Sequence, residues 1–246
     1  MTGDRPSPEN PFNLLVCDTD ALIQVICAEQ IDLLKKLEKI YGIRPVVTEA
    51  VEDEITNPTH RRASLVDAPF QKAIDSGVLT VLSRRTIRMF TTNDPYSTYD
   101  SIELRGQDYS KIVQRGEAYT HAAAVVLRAA AMSNDASAIR TLDRTSLPYG
   151  SPVLRTYDLF ALFAQRGDLS ERDCDAIRKR LVAIGEHPHP QFEKSKFIEG
   201  ISRFYPRLLD KSLRAIGAEI MRELGDERRC QILPMERATA RRKSGA

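Results

Sequence analysis

The stretch "NLLVCDTDALIQ", Asn13 to Gln24, closes a short apolar run with Asp18 and Asp20. Two carboxylates at the tip of a buried strand raise one another's pKa and disfavour ionisation. A hard divalent cation offsets that repulsion, because Mg²⁺ or Mn²⁺ takes oxygen ligands, keeps several waters and leaves room for phosphate oxygens. Three further acids occupy comparable places. Glu54 lies more than one helical turn past the strand-like "RPVVT", Glu117 opens a helix in "QRGEAYTHA", and Asp135 follows the strand-like "AAMS". Taken singly, each reads more readily as a helix cap or a solvated acid. Their value lies in where the chain would bring them.

The elements that must position them alternate. Residues 1–12 read as a flexible leader, and "LLVC" as a strand buried on both faces. "ALIQVICAEQIDLLKKLEKIYG" carries apolar residues at helical spacing and stops at Gly42. A strand over 44–48 follows, then a short acidic helix over 49–58 closed by Asn-Pro. "SLVDAPFQKAIDSG" reads as a helix and "VLTVLS", 78–83, as a third strand. The turn-rich segment from Arg84 to about Ser101, with "TTNDPYST", is assigned to no element. Helices resume around "DYSKIVQRGEAYTHAAAVVLRAA", and a strand over 130–133 runs into "NDASAIRTL". A short strand, a helix, a Gly break and another helix then reach Gly185.

This alternation predicts an α/β fold of three layers, α/β/α, with a mainly parallel central sheet, over residues 13–185. In such a sheet, ligands gather where the carboxyl ends of the strands meet the following loops, so the four acids can share one rim. Past 185 the pattern changes to a breaker, "HPHPQ", two amphipathic helices and the basic tail "ERATARRKSGA". Residues 186–246 therefore read as a helical extension.

Composition narrows the classes. Of 246 residues, 42% are hydrophobic and 28% charged, as in ordinary globular proteins. A net charge of +2, from 36 Lys and Arg against 34 Asp and Glu, argues against a histone-like blanket binder. It leaves room for a local basic patch. Cys17, Cys27, Cys174 and Cys230 show no CxxC spacing, so they read as free thiols in a reducing compartment, not a zinc site or disulfide framework. No run approaches a membrane span, and the polar, Pro-rich start is unlike a signal peptide. The expected location is cytoplasmic, with no membrane partner.

"LLVCDTDALIQ", "VVTEAVEDEI", "RGEAYTHAAAV" and "AAMSNDASAIR" occur in an order that resembles the PIN-domain nucleases. The resemblance covers roughly 14–167, and its later part is similar to a bacterial, toxin-like subgroup. It implies Asp18, Glu54, Glu117 and Asp135 as an acidic quartet around Mg²⁺ or Mn²⁺. Asp18 and Asp135 would be ligands, and Glu117 a further ligand or a holder of bound water, as would Glu54. Asp20 and Ser133 would support them. Asn134 stands where many members carry a second Asp.

The implied activity is metal-dependent hydrolysis of RNA by an endoribonuclease, as a toxin held by an antitoxin or as an RNA-processing enzyme. A DNA-directed activity is the nearest variant. The other readings are a degenerate PIN domain that binds without cutting, and a haloacid-dehalogenase-like phosphatase. The last is suggested by "DTDAL" and "GDLSERD", but Leu22 stands where that family wants Thr or Val. Arg61, Arg62, Arg84, Arg85 and Arg88 lie near the motifs and could guide an RNA backbone, or form a solvated face. His121, one turn after Glu117, reads as a packed or supporting His, and His187 and His189 as linker. A homodimer or a protein partner through the C-terminal helices is also open.

Overall fold

The computed structural model describes residues 14–59, 62–91, 93–135 and 153–186. The apolar run becomes β1 (Leu14–Cys17), every residue of it buried. Leu15 and Cys17 enter one apolar layer and Leu14 and Val16 the other. A strand covered on both faces has no reason to alternate with polar residues. β2 (Arg44–Thr48), β3 (Thr80–Leu82), β4 (Ala130–Met132) and β5 (Val153–Leu154) complete a parallel sheet of five strands. Their order is β3-β2-β1-β4-β5. The expected parallel α/β architecture is the one observed. β3 is shorter than 78–83 because the amides of Val78 and Leu79 bond back to Ala73 O and close the preceding helix.

Helices cover both faces. α1 (Thr19–Cys27), α2 (Asp32–Tyr41), α4 (Ala63–Asp75), α7 (Thr156–Gln165) and α8 (Glu171–Ala183) pack on one face. They bring Leu22, Leu34, Phe70, Phe160 and Ile177 against Leu15, Val47 and Met132. On the other face, α5 (Pro95–Tyr109) and α6 (Arg115–Val126) bring Ile102, Tyr109, Ala122 and Ala123 against Leu14, Val16 and Ala131. The short α3 (Glu49–Ile55), capped by Thr48, has residues in both layers.

The structure corrects two sequence expectations. The apolar periodicity from Ala21 to Gly42 is two helices. Glu29 takes a left-handed φ of 57°, its amide bonds Ile26 O, and Gln30 N bonds Val25 O, the two bonds of a Schellman turn. No Gly or Pro announces this stop. Arg180 of α8 supports it from a distance, donating to Ala28 O and pairing with Glu29 at 2.6 Å. Gly42, at φ 68°, ends α2 as the sequence implied.

The second correction concerns the turn-rich segment at 84–101, which contains a 3-10 turn at Ile87–Met89 and the start of α5. There "NDP" is a helix start: Asp94 accepts from Ser97 N at 2.7 Å, and Pro95 occupies the first helical position.

Strand order reverses at β1. The chain runs outward through β2 and β3, then returns to place β4 on the opposite side of β1. The crevice beyond the carboxyl ends of β1 and β4 is thus the switch point where open parallel sheets hold ligands. Asp18 N bonds Met132 O at 2.9 Å, continuing the ladder to the lip of that crevice.

No helix among the described residues is long and apolar enough to cross a membrane. The leader, Arg61, residues 136–142 of "NDASAIRTL", His187, His189, Cys230 and residues 187–246 of the extension lie outside the described residues.

Candidate functional site

A cavity of about 290 Å³ opens at the switch point, and Asp18, Asp20, Glu54, Glu117 and Asp135 all line it. Asp18 arrives at the end of β1 and caps α1, its Oδ1 accepting from Thr19 N at 2.7 Å. Asp20 follows in the first turn of α1 and is exposed. Glu54 comes from the last turn of α3, Glu117 from the first turn of α6, and Asp135 from the segment after β4. Strand ends and helix starts bring these oxygens together because parallel connections return every strand in the same direction.

The five carboxyls are not equivalent. Asp18 and Glu117 are each only 5% exposed, whereas Asp20 and Asp135 face solvent. Burial holds the Asp18 carboxyl well above the usual carboxylate range, and the neighbouring Glu117 pushes it the same way. Thr19 N works against that shift. Burial also pushes Glu117 up to about 8, with Asp135 adding to it, while a hydrogen bond from Ser133 opposes it. That bond spans 3.2 Å from Ser133 Oγ to Glu117 Oε1, and Asp135 N lies 3.3 Å from the same Ser133 oxygen. Ser133 therefore links the β4 segment to the α6 carboxyl. His121, fully buried one turn further along α6, has Nε2 3.7 Å from Glu117 Oε1.

Glu54 is spent differently. Its Oε2 accepts from Thr19 Oγ1 at 2.5 Å and its Oε1 from Gly116 N at 2.8 Å. It thus ties α1, α3 and the start of α6. Gly116 cannot carry a side chain there: an added Cβ would collide with Glu54 Oε2 and lie 2.7 Å from Thr19 Oγ1.

Asn134 also holds the frame. Its Oδ1 accepts from Thr156 N at 3.0 Å and its Nδ2 donates to Thr156 Oγ1 at 2.9 Å, while that hydroxyl donates to Ala21 O at 3.2 Å. The amide joins the β4 segment to the start of α7 and, through Thr156, to α1.

The donor chemistry, hard carboxylate oxygens without thiols, fits Mg²⁺ or Mn²⁺. Among the described residues, however, no three His, Cys, Asp or Glu side chains form a group that could hold an ion as they stand. Both oxygens of Glu54 are already hydrogen-bonded, so Glu54 serves the frame while Asp18, Glu117, Asp20 and Asp135 supply the remaining carboxyls of the cavity.

The basic residues singled out in the sequence separate. Arg62 is buried: it donates to Ile184 O at 2.9 Å and pairs with Glu186 at 2.8 Å. Glu186 in turn accepts from Gln24, so Arg62 locks the end of α8 onto α1. Arg84 is exposed, paired with Asp100 and set over the Tyr99 ring; Arg85 and Arg88 are exposed. The "GDLSERD" segment joins α7 to α8, with Ser170 and Asp173 forming the capping box of α8.

Sequence reasoning did not single out Thr19, Asn57, Thr59, Gln114 or Gly116, all of which line or frame the cavity. Thr19 follows the first Asp directly, and Asn57 and Thr59 flank the Pro that ends α3, so a signal was present for these three. Gly116 directly precedes Glu117 in the quoted "RGEAYTHAAAV" and so had a signal too, whereas Gln114 carries none. No protein-family model, curated protein or solved structure matches the chain.

Proposed function

We propose that the chain is a divalent-cation-dependent endoribonuclease acting at the cavity beyond β1 and β4. One observation carries this reading: two buried carboxyls, Asp18 and Glu117, crowd into a solvent-open cavity with Asp20 and Asp135, and burial first, then the neighbouring acids, raises the pKa of both. Such crowding is costly unless a cation enters. The ordered resemblance of the surrounding motifs to PIN-domain nucleases supports RNA as the substrate.

Asp18, Asp135 and Glu117 would hold the ion. When bound, Mg²⁺ or Mn²⁺ supplies polarisation of a phosphate oxygen and a more acidic water. Ser133 holds the Glu117 carboxyl in place, Asp20 adds negative charge at the mouth, and Glu54 keeps Thr19 and Gly116 together so that α1 and α6 open onto one cavity. Of the guiding arginines, exposed Arg84 and Arg85 remain suited to an RNA backbone; Arg62 serves the frame. A role as a toxin with a protein antitoxin, or in RNA processing, in the cytoplasm, fits this chemistry equally.

A second reading, a binding module without catalysis, is favoured by the lack of a ready-made three-ligand group among the described residues. Incubating single-stranded RNA with the full chain in Mn²⁺, with and without a chelator, separates the two. Cleavage should depend on Mn²⁺ and fall by at least about 100-fold in Asp18→Asn and Asp135→Ala, with both variants still folded. Cleavage unchanged in Asp18→Asn rejects the assignment.

A further inference from the structure

The cavity is not lined by acids alone. Asn57, Thr59 and Gln114 line it beside them, and no Lys or Arg is among the described residues that do so. A phosphodiester entering this space meets carboxylates, so side-chain donors for its oxygens must come from the neutral groups. Two of the neutral groups are already committed. Thr19 Oγ1 donates to Glu54, and Thr59 donates both its amide (3.0 Å) and its hydroxyl (2.8 Å) to Asn57 Oδ1.

Those two bonds fix the Asn57 amide. With Oδ1 turned to Thr59, the Nδ2 donors occupy the other branch and make no hydrogen bond among the described residues. Gln114 precedes the first residue of α6, yet its side chain makes no capping bond to the helix. Both residues are exposed at the cavity mouth. We infer that the Asn57 and Gln114 carboxamides are the phosphate-contacting donors of this cavity, holding the non-bridging oxygens of an RNA phosphodiester. This rests on the nuclease reading for the identity of the substrate. Neutral donors suit the place: a Lys or Arg would pair with the acids and compete with the cation, whereas an amide N–H binds an anionic oxygen without doing so.

The test uses the full chain, with RNA binding measured by anisotropy of a labelled single-stranded RNA in Ca²⁺ and cleavage measured in Mn²⁺. Asn57→Asp keeps the oxygen that accepts from Thr59 and replaces the donor; Asn57→Ala removes both; Gln114→Glu and Gln114→Ala form the matching pair. Each of the four should weaken RNA binding by about tenfold, with Mn²⁺ affinity, read by electron paramagnetic resonance, not reduced.

Weakening by the alanines alone would make the pair local structure, and weakening by the acids alone would be a charge effect; either overturns the inference. Wild-type-like binding by all four overturns it as well. Binding that depends on the amides without any cleavage keeps the inference and removes the hydrolytic reading. Cleavage that depends on Asp18 but not on the amides does the reverse. A wild-type chain that binds no RNA ends both.

Discussion

Thr19 and Glu54, 35 positions apart, meet through a 2.5 Å hydrogen bond, and the other oxygen of Glu54 is held by the amide of Gly116. One carboxylate therefore joins three segments that each contribute to the cavity. Removing an acceptor of this kind leaves two donors unmatched, at about 1–3 kcal/mol. Glu54→Ala should lower the melting temperature by roughly 2–4 °C for each kcal/mol. Gly116→Ala should destabilise through collision with the same carboxylate, and less so in the Glu54→Ala background. A thermal double-mutant cycle that is strictly additive would contradict the contact.

Acidity of the site sets a pH dependence. The Glu117 carboxyl rises from 4.5 in the unfolded chain to about 8 when folded, chiefly through burial. The folded state thus keeps a proton that the unfolded chain has already released. Its contribution to stability is complete below about pH 4.5, declines as pH rises toward 8, and is gone above that. Asp18 is shifted in the same direction. In chelator, melting temperature should fall across this window, and Glu117→Gln should flatten the fall. A melting temperature that climbs with pH there would refute the assignment.

A cation that takes the place of those protons should reverse the trend. Mn²⁺ at about 100 times its Kd adds about 2.7 kcal/mol, roughly 5–10 °C for a chain of this size. The gain should be larger near pH 8 than near pH 5, because protons compete for the same oxygens. Scanning fluorimetry with and without Mn²⁺ measures it, and Asp18→Asn should abolish it. An equal gain in that variant would place the ion elsewhere.

Asn134→Asp tests whether this position prefers an amide for structural reasons. The Thr156 hydroxyl already gives its proton to Ala21 O, so it accepts from Asn134 Nδ2. An Asp there can still accept from Thr156 N but offers no donor to the hydroxyl. A loss of about 1–2 kcal/mol in urea unfolding is expected. Stabilisation, or tighter Mn²⁺ binding at unchanged stability, would instead mark the position as a vacant ligand.

Arg62→Ala distinguishes frame from substrate contact. Breaking its pair with Glu186, which is 25% exposed, should cost about 2–3 kcal/mol, at or below the low end for buried pairs. RNA binding by the remaining folded protein should not change. Arg85→Ala should do the opposite, sparing stability and reducing the salt dependence of RNA binding. RNA affinity lost in proportion to stability in both variants would overturn this division.

What the residue order made legible, and what it hid, follow from physical range. β1 was readable because a strand buried on both faces is continuously apolar, and Asp18 stood out as a charge at the end of that run. The break at Glu29 was hidden because its support comes from Arg180, far along the chain. "NDP" was ambiguous because the same residues that make turns also start helices. Asp18, Glu117 and Asp135 could be named from local context, but the separate duty of Glu54 depends on Gly116, which no local pattern links to it. Arg62 was misleading for a similar reason: its partner lies at the far end of α8.

The pairing of Asp18 N with Met132 O has a bearing on how the molecule comes into being. The first strand waits for a neighbour made more than half a domain later, so the wall carrying Asp135 is missing from a ribosome-bound chain that stops short of it. Such high-separation contacts form slowly. An emerging polypeptide therefore lacks the assembled acid-lined cavity, which is complete only when synthesis has passed the fourth strand and the sheet has closed around the first.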